Sequence, residues 1–464
     1  MPESYQLERQ TLDKLATAPW RLIVKDTPLS NAPVALLRSL LDDVVQYESH
    51  FEFNAPTNRL PEAMFAIKLP ADRAAAWATN LPVIFASILG TSPTPNSQLL
   101  SAAGSILATN IGEWTVVSVS PSLDSRLSTL DVLNRLSASN HWLHAELDTA
   151  WLARAADWQI ETNRNLPRCE ITVTGDGANV RMTGSATFPS PLDLKLDAWS
   201  VPTNLICDPL VSFSAVRGVA DGLERHFGWQ TQQLGSAPNQ VFFWAQTPAL
   251  WSHFMTYPVE HGTNHVRALG EWVSNEWNPI FQTNRVGLFS WSTNRFGLVW
   301  MGVPFFKPVI EPARFGSSDF ALIGLFANGN TNRPVPAGLF DEFKRNPGLV
   351  YYDWEFSAQQ VKSWTQMSQL LRMVFGKAQL SPQGASLPWM REITPLLGNA
   401  ITVVTLEKPD RLAFKRSSTL GLTSVEIHLL SDWLESLHFP AGLTSQQPAR
   451  QNRPPAMTNS PAAN

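Results

Sequence analysis

Tyr351-Tyr352-Asp353-Trp354-Glu355-Phe356-Ser357-Ala358 runs directly into Gln359-Gln360-Val361-Lys362-Ser363-Trp364. The first half is crowded with aromatic residues, as a strand is, and the second half takes up helical spacing. The same order recurs in Met64-Phe65-Ala66-Ile67-Lys68-Leu69-Pro70-Ala71, which leads into Asp72-Arg73-Ala74-Ala75-Ala76-Trp77. Pro70 suits a first helical turn. Phe65 to Trp77 and Tyr352 to Trp364 have equal spacing. Two more segments fit the pattern. His141 to Asp148 is one, with Asp148 able to cap a helix through Trp151 to Trp158; Val241 to Thr247 is the other, with Thr247 as cap and Pro248 as helix opener.

Downstream of three of these helices, alternating apolar runs flank turn residues at Gly175-Asp176-Gly177, Ser292-Thr293-Asn294-Arg295 and Glu407-Lys408-Pro409-Asp410. The first copy keeps one strand, Glu113 to Val119, and turns helical from Leu123 to Leu136. The expected class is therefore α+β, with four duplicated β-α-β-β-like units whose mostly antiparallel sheets pack against helices. The expected divisions are residues 1–137, a first unit with an N-terminal extension; 138–235, a second with an irregular insert; 236–335, a third rich in tryptophan; and 336–445, a fourth. A tail over 446–464, polar and rich in Pro, Ala and Asn, is expected to be disordered.

Composition narrows function more than it identifies it. Of 464 residues, 44% are hydrophobic and 16% charged, against a usual charged share of about 25%, which fits a globular chain and excludes a disordered or coiled-coil one. A net charge of -4 leaves no basic footprint for nucleic acid. The apolar stretches Pro82 to Leu89 and Leu298 to Phe306 are too short for the roughly 20 residues a membrane span needs. Cys169 and Cys207 allow at most one disulfide and have no metal-ligand spacing. The charged start, Met1 to Arg9, lacks the order of a secretory signal, so the chain is expected to be cytoplasmic, or periplasmic or exported if a signal was removed.

Trp199-Ser200-Val201-Pro202-Thr203-Asn204 and Phe213-Ser214-Ala215-Val216-Arg217-Gly218 resemble the Trp-x-x-Pro-Thr-Asn and Phe-x-Ala-x-Arg-Gly segments of a family of large bacterial proteins. Those proteins are built from duplicated strand and helix units and are commonly exported. The resemblance implies export and no particular catalytic activity.

Three groups could carry chemistry. His144, Glu146 and Asp148 alternate along one strand and would share a face; the plainer reading is a wet face with Asp148 capping the next helix. His261 and His265, near Glu260 and His253, have the spacing of a zincin pair without its glutamate, and read better as solvated histidines. Asp193 and Asp197 could form an acid pair, as chance pairs in any chain of this size could. No nucleophile elbow or phosphate loop is present. No metal or cofactor is expected.

The 18 tryptophans are the remaining anomaly. Trp244, Trp272, Trp277, Trp291 and Trp300 are the candidates for a ligand surface, with core packing the competing reading. Trp77 and Trp364 are expected in the core, and Asp208 with Arg217 as a structural ion pair. The function these features suggest is a non-enzymatic binding or structural protein with a protein or envelope partner. The alternative is a hydrolase acting on a glycan or peptide in a Trp-lined cleft.

Overall fold

The computed structural model describes residues 6–23, 31–54, 62–89, 98–101, 104–120, 141–155, 165–227, 229, 234–247, 252–292, 296–302, 307–325, 333–375, 384–436 and 439–440. The expected helix over 123–136, Trp158, Pro248 and the tail over 446–464 lie outside them. The chain divides into two compact units. One holds Met1–Ser139, Leu380–Met390 and Leu429–Asn464, and the other Asn140–Gln379 and Arg391–His428. Helices and antiparallel sheets occur in comparable measure, so the class is α+β.

In the first unit the order is α1 (Gln6–Ile23), α2 (Asn31–Gln46), β1 (Ser49–Asn54), β2 (Glu62–Lys68), α3 (Ala71–Leu89), β3 (Gln98–Ser101), β4 (Gly104–Ile111) and β5 (Trp114–Ser120). The strands form one antiparallel sheet in the order β1-β2-β5-β4-β3. Alternation in β2 and β5 turns Phe65, Ile67 and Val117 to one face, where they pack with Trp20, Leu40, Trp77, Leu81 and Ile84. Pro70 stands just before α3, and its carbonyl accepts the amide of Ala74.

The second unit contains β6 (Leu143–Asp148), α4 (Thr149–Ala155), β7 (Arg168–Asp176), β8 (Asn179–Thr187), β9 (Leu210–Arg217), α5 (Ala220–Phe227), β10 (Gln240–Gln246), β11 (His253–Val259), α6 (Gly262–Glu276), α7 (Asn278–Thr283), β12 (Gly287–Trp291), β13 (Leu298–Gly302), β14 (Val309–Phe315), β15 (Ser318–Gly324), α8 (Asp341–Arg345), β16 (Leu349–Phe356) and α9 (Ser357–Phe375). After α10 (Ser386–Ile393) come β17 (Asn399–Lys408), β18 (Arg411–Ser418) and α11 (Ser424–Glu435); α10 and α11 each contribute residues to both units. All strands of this unit join one 13-stranded antiparallel sheet, ordered β12-β13-β14-β15-β11-β10-β9-β16-β17-β18-β8-β7-β6. One core lies under Phe213, Phe242, Phe254, Phe320, Leu349 and Tyr352. A second lies between α6 and the strands at Val266, Leu269, Leu298 and Ile310.

The four matched segments are all strands, namely β2, β6, β10 and β16, but they do not share one topology. β6 and β16 lead at once into helices and then hairpins, and Asp148 caps α4 by accepting the amide of Trp151 at 2.8 Å. β10 does not. After Thr247 the chain re-enters the sheet as β11, and the helix begins only at Gly262. The reason is composition: Phe254-Met255-Thr256-Tyr257-Pro258-Val259 is a short, nearly continuous apolar run, buried at both Phe254 and Tyr257 as a central strand is, and it outweighs the cap-and-proline signal at 247–248. In the first unit α3 is followed by three strands, not one. The insert read as irregular contains β9, a central strand paired to both β10 and β16.

Candidate functional site

The densest aromatic surface lies where β12 and β13 end the sheet beneath α6 and α7. Trp277 closes α6 and opens α7, and its ring meets Trp272 at 5.9 Å and Phe281 at 5.8 Å. Phe281 in turn contacts Trp300 at 4.8 Å, and Trp300 contacts Phe289 at 5.2 Å, both edge to face. Such geometry is the favoured one for aromatic pairs. Glycines make the close approach feasible: a Cβ on Gly302 would strike the Trp300 indole, and one on Gly270 would strike Trp291 and Leu298. Trp277 and Trp291 remain 45% and 41% exposed, with Phe296 and Met301 exposed beside them. Arg267 stands over the Phe296 ring.

β13 pairs with β14 over only two residues, Leu298 with Ile310 and Val299 with Val309. Where the strands part, a cleft of about 460 Å³ opens, lined among others by Trp300, Met301, Val309, Lys307 and Glu311. Its lining is mainly apolar, and among the described lining residues Glu311 is the one carboxylate. Of the five tryptophans expected at a ligand surface, Trp277, Trp291 and Trp300 lie at this end of the sheet, with Trp272 half-buried against Trp277. Trp244 does not belong here. It is buried in the core, stacked on Phe254 at 5.2 Å.

The other candidates lie elsewhere in the fold. Asp208 and Arg217 form no ion pair, because they flank opposite ends of β9, about 30 Å apart at the usual strand rise. Asp208 instead accepts the amide of Leu210, and Arg217 donates to the backbone carbonyls of Asp197, Pro347 and Leu349. Trp77 is buried as expected, whereas Trp364 is only half-buried, near His253. His265 is half-buried, stacked on Trp229 and hydrogen-bonded with the Tyr257 hydroxyl at 3.0 Å; its desolvation lowers its pKa, and His261 merely precedes α6. His144 lies 3.7 Å from Glu146, which is itself bonded to Arg168. Asp193 and Asp197 are exposed, and Asn239 donates to Asp197. Cys169 and Cys207 are free thiols. No group of three metal-ligating side chains forms among the described residues.

A buried polar row was not foreseen. Ser214, Asp353, Thr402 and Arg416 lie side by side across β9, β16, β17 and β18. Ser214 Oγ donates to Asp353 at 2.6 Å, and Arg416 donates to Thr402 and to Glu426 of α11. Next along β16, Glu355 accepts from Ser357 at the start of α9 and from the amide and hydroxyl of Ser424 at the start of α11. One carboxylate therefore holds two helix starts to the sheet, where negative charge is favoured. The sequence signal was present: two acids at alternating positions of an otherwise apolar strand.

Burial raises the Asp353 carboxyl from 3.8 to about 6, with Glu355 and Glu426 adding to the effect and the Ser214 hydroxyl and Arg416 opposing it. The folded chain thus holds this proton more tightly than the unfolded one. The resulting stability is full below about pH 4, falls as pH rises through 6 and is lost above it. The difference corresponds to about 3 kcal/mol. Asp353→Asn, which cannot ionise, should therefore gain on the wild type between pH 4.5 and 7.5 in denaturant melts; parallel pH dependence of the two proteins would refute the assignment.

Comparison with protein-family models, curated proteins and solved structures finds no match. Among the described residues, no helix is long and apolar enough to cross a membrane.

Proposed function

We propose that the chain is a non-enzymatic binding protein of the bacterial cell envelope and that it holds a glycan against the aromatic end of its large sheet. The observation carrying this reading is two exposed indoles at one end of the sheet, Trp277 braced by Trp272 and Phe281 and Trp291 set against Gly270 beside Phe296, with an apolar cleft lined by Trp300. Flat rigid rings held at a surface offer apolar area to sugar rings at little entropic cost. Acid–base hydrolysis would need a second carboxylate facing Glu311. The buried acids Asp353 and Glu355 are instead occupied by serines and helix starts.

Co-sedimentation with purified peptidoglycan sacculi tests the proposal. The full chain is expected to pellet with the sacculi and release no soluble sugar or peptide. Trp277→Ala combined with Trp291→Ala should lower the bound fraction about tenfold, as loss of central aromatic anchors does. Release of fragments in proportion to protein would replace the binding reading with the hydrolase one, and a chain that stays in the supernatant would exclude this glycan.

A further inference from the structure

The two edges of the 13-stranded sheet are finished differently. At β12, the Asn278 side chain donates to the Phe289 carbonyl at 2.9 Å and accepts the Phe289 amide at 2.7 Å. A side-chain amide therefore occupies the positions that a further strand would use. At β6 no such cap exists among the described residues, and Leu143 and Leu147 are 53% and 39% exposed. An open edge with apolar side chains is a template for another strand.

The register of β6 on β7 determines what that edge presents. Leu143 opposes Val173, Ala145 opposes Ile171 and Leu147 opposes Cys169; one rung further, the Thr149 amide donates to Pro167. Since hydrogen-bonded pairs alternate in an antiparallel ladder, Leu143, Ala145 and Leu147 turn their backbone groups toward β7, and His144 and Glu146 turn theirs outward. An incoming antiparallel strand must meet His144 and Glu146 with outward groups of its own.

Leu143-His144-Ala145-Glu146-Leu147 satisfies that requirement against itself. With a two-fold axis through Ala145, His144 of one copy faces Glu146 of the other, twice, and Leu143 faces Leu147, twice. The Arg168 guanidinium bonded to Glu146 holds its carboxyl below the usual range, so the acid is anionic at neutral pH. The neighbouring registers are worse. An axis at Glu146 opposes two carboxylates, like charges whose direct opposition is destabilising, and one at His144 sets Glu146 opposite Trp142, with no polar partner for the acid. An axis between residues sets outward groups against inward ones and breaks the ladder. We infer that the chain forms a two-fold dimer by antiparallel pairing of β6 with β6 of a second copy, with Ala145 on the axis. Each chain has one β6 edge and a two-fold pairing uses both, so growth through this edge stops at two, and Asn278 occupies the Phe289 backbone groups at the opposite edge.

Sedimentation velocity of the full chain up to about 100 μM, where micromolar association is nearly complete, should show a species of twice 51.5 kDa. His144→Glu places like charges opposite each other and should weaken association about tenfold. Adding Glu146→Lys to that variant should restore it. With Cys169→Ser and Cys207→Ala removing native thiols, Ala145→Cys should cross-link under mild oxidation, because facing residues of a non-hydrogen-bonded pair lie about 4.5 Å apart at Cα. Glu271→Cys in the same background should not. A chain that stays monomeric, or a dimer indifferent to His144→Glu and uncrosslinked by Ala145→Cys, would overturn the inference.

Discussion

Trp77→Ala is expected to destabilise the first unit by about 3–5 kcal/mol, the range for emptying a large aromatic site. The indole is 4% exposed, stacks on Phe65 at 5.7 Å and donates its N–H to Asp43 at 2.8 Å. Asp43 is itself buried and also accepts two donors of Arg73. Truncation therefore opens a cavity and removes one donor from a buried carboxylate. Trp77→Phe separates the two effects, since it keeps most of the packing and should cost about 1.5–3 kcal/mol for a hydrogen bond to a charged group. At Trp364, half-buried with its indole N–H lacking a hydrogen-bond partner among the described residues, alanine should cost clearly less, about 1–2 kcal/mol. Guanidinium melts of the three variants check the order. Equal losses at Trp77 and Trp364 would mean that the hydrogen bond to Asp43 and the deeper burial contribute nothing.

Local signals carried most of what could be read before the structure. The strand-to-helix changes at Pro70, Asp148 and Ser357 are short-range events, with a period of two giving way to one of 3.6 and a cap at the boundary. The change expected at Thr247 fails because a cap and a proline can also begin a turn between two strands. β9 escaped notice although Leu210, Ser212, Ser214 and Val216 alternate with Val211, Phe213, Ala215 and Arg217, because its surroundings from Pro191 to Gly235 are rich in turn residues. The aromatic end was legible only as crowding. Nothing local to Trp244 separates it from Trp300, and their different fates follow from strand order: Trp244 lies on a central strand and Trp300 next to the edge. The acids of β16 became meaningful only once Ser214, Arg416 and Ser424, distant in sequence, were seen around them.

Arg217→Ala is expected to be as damaging, by about 3–5 kcal/mol, for a reason the sequence could not show. The guanidinium is 3% exposed, and burial lowers its pKa, yet Arg remains charged in proteins and so must be satisfied where it stands. Its donors reach Asp197 at 2.5 Å, Leu349 at 2.6 Å and Pro347, while its plane lies 4.9 Å from the Trp199 ring. Three carbonyls from two separate segments are thereby fixed to the end of β9, and removing the side chain leaves the buried Leu349 carbonyl without this donor and empties the space beside the Trp199 ring. Arg217→Lys should recover little, because one ammonium cannot address three diverging acceptors and stack on an indole as well. The part of the segment around Lys195 to Ser200 is held to the strands by this residue, by Gln240, which bonds Ala198 and Ser200, and by Asn239, which bonds Lys195, while Ile206 and its neighbours pack into the core further on. Arg217→Ala should accordingly make Lys195 a new tryptic site under native conditions, ahead of global unfolding. If Arg217→Ala leaves both the denaturation midpoint and the tryptic pattern as in the wild type, the three carbonyls are satisfied by other means and Arg217 does not anchor that segment.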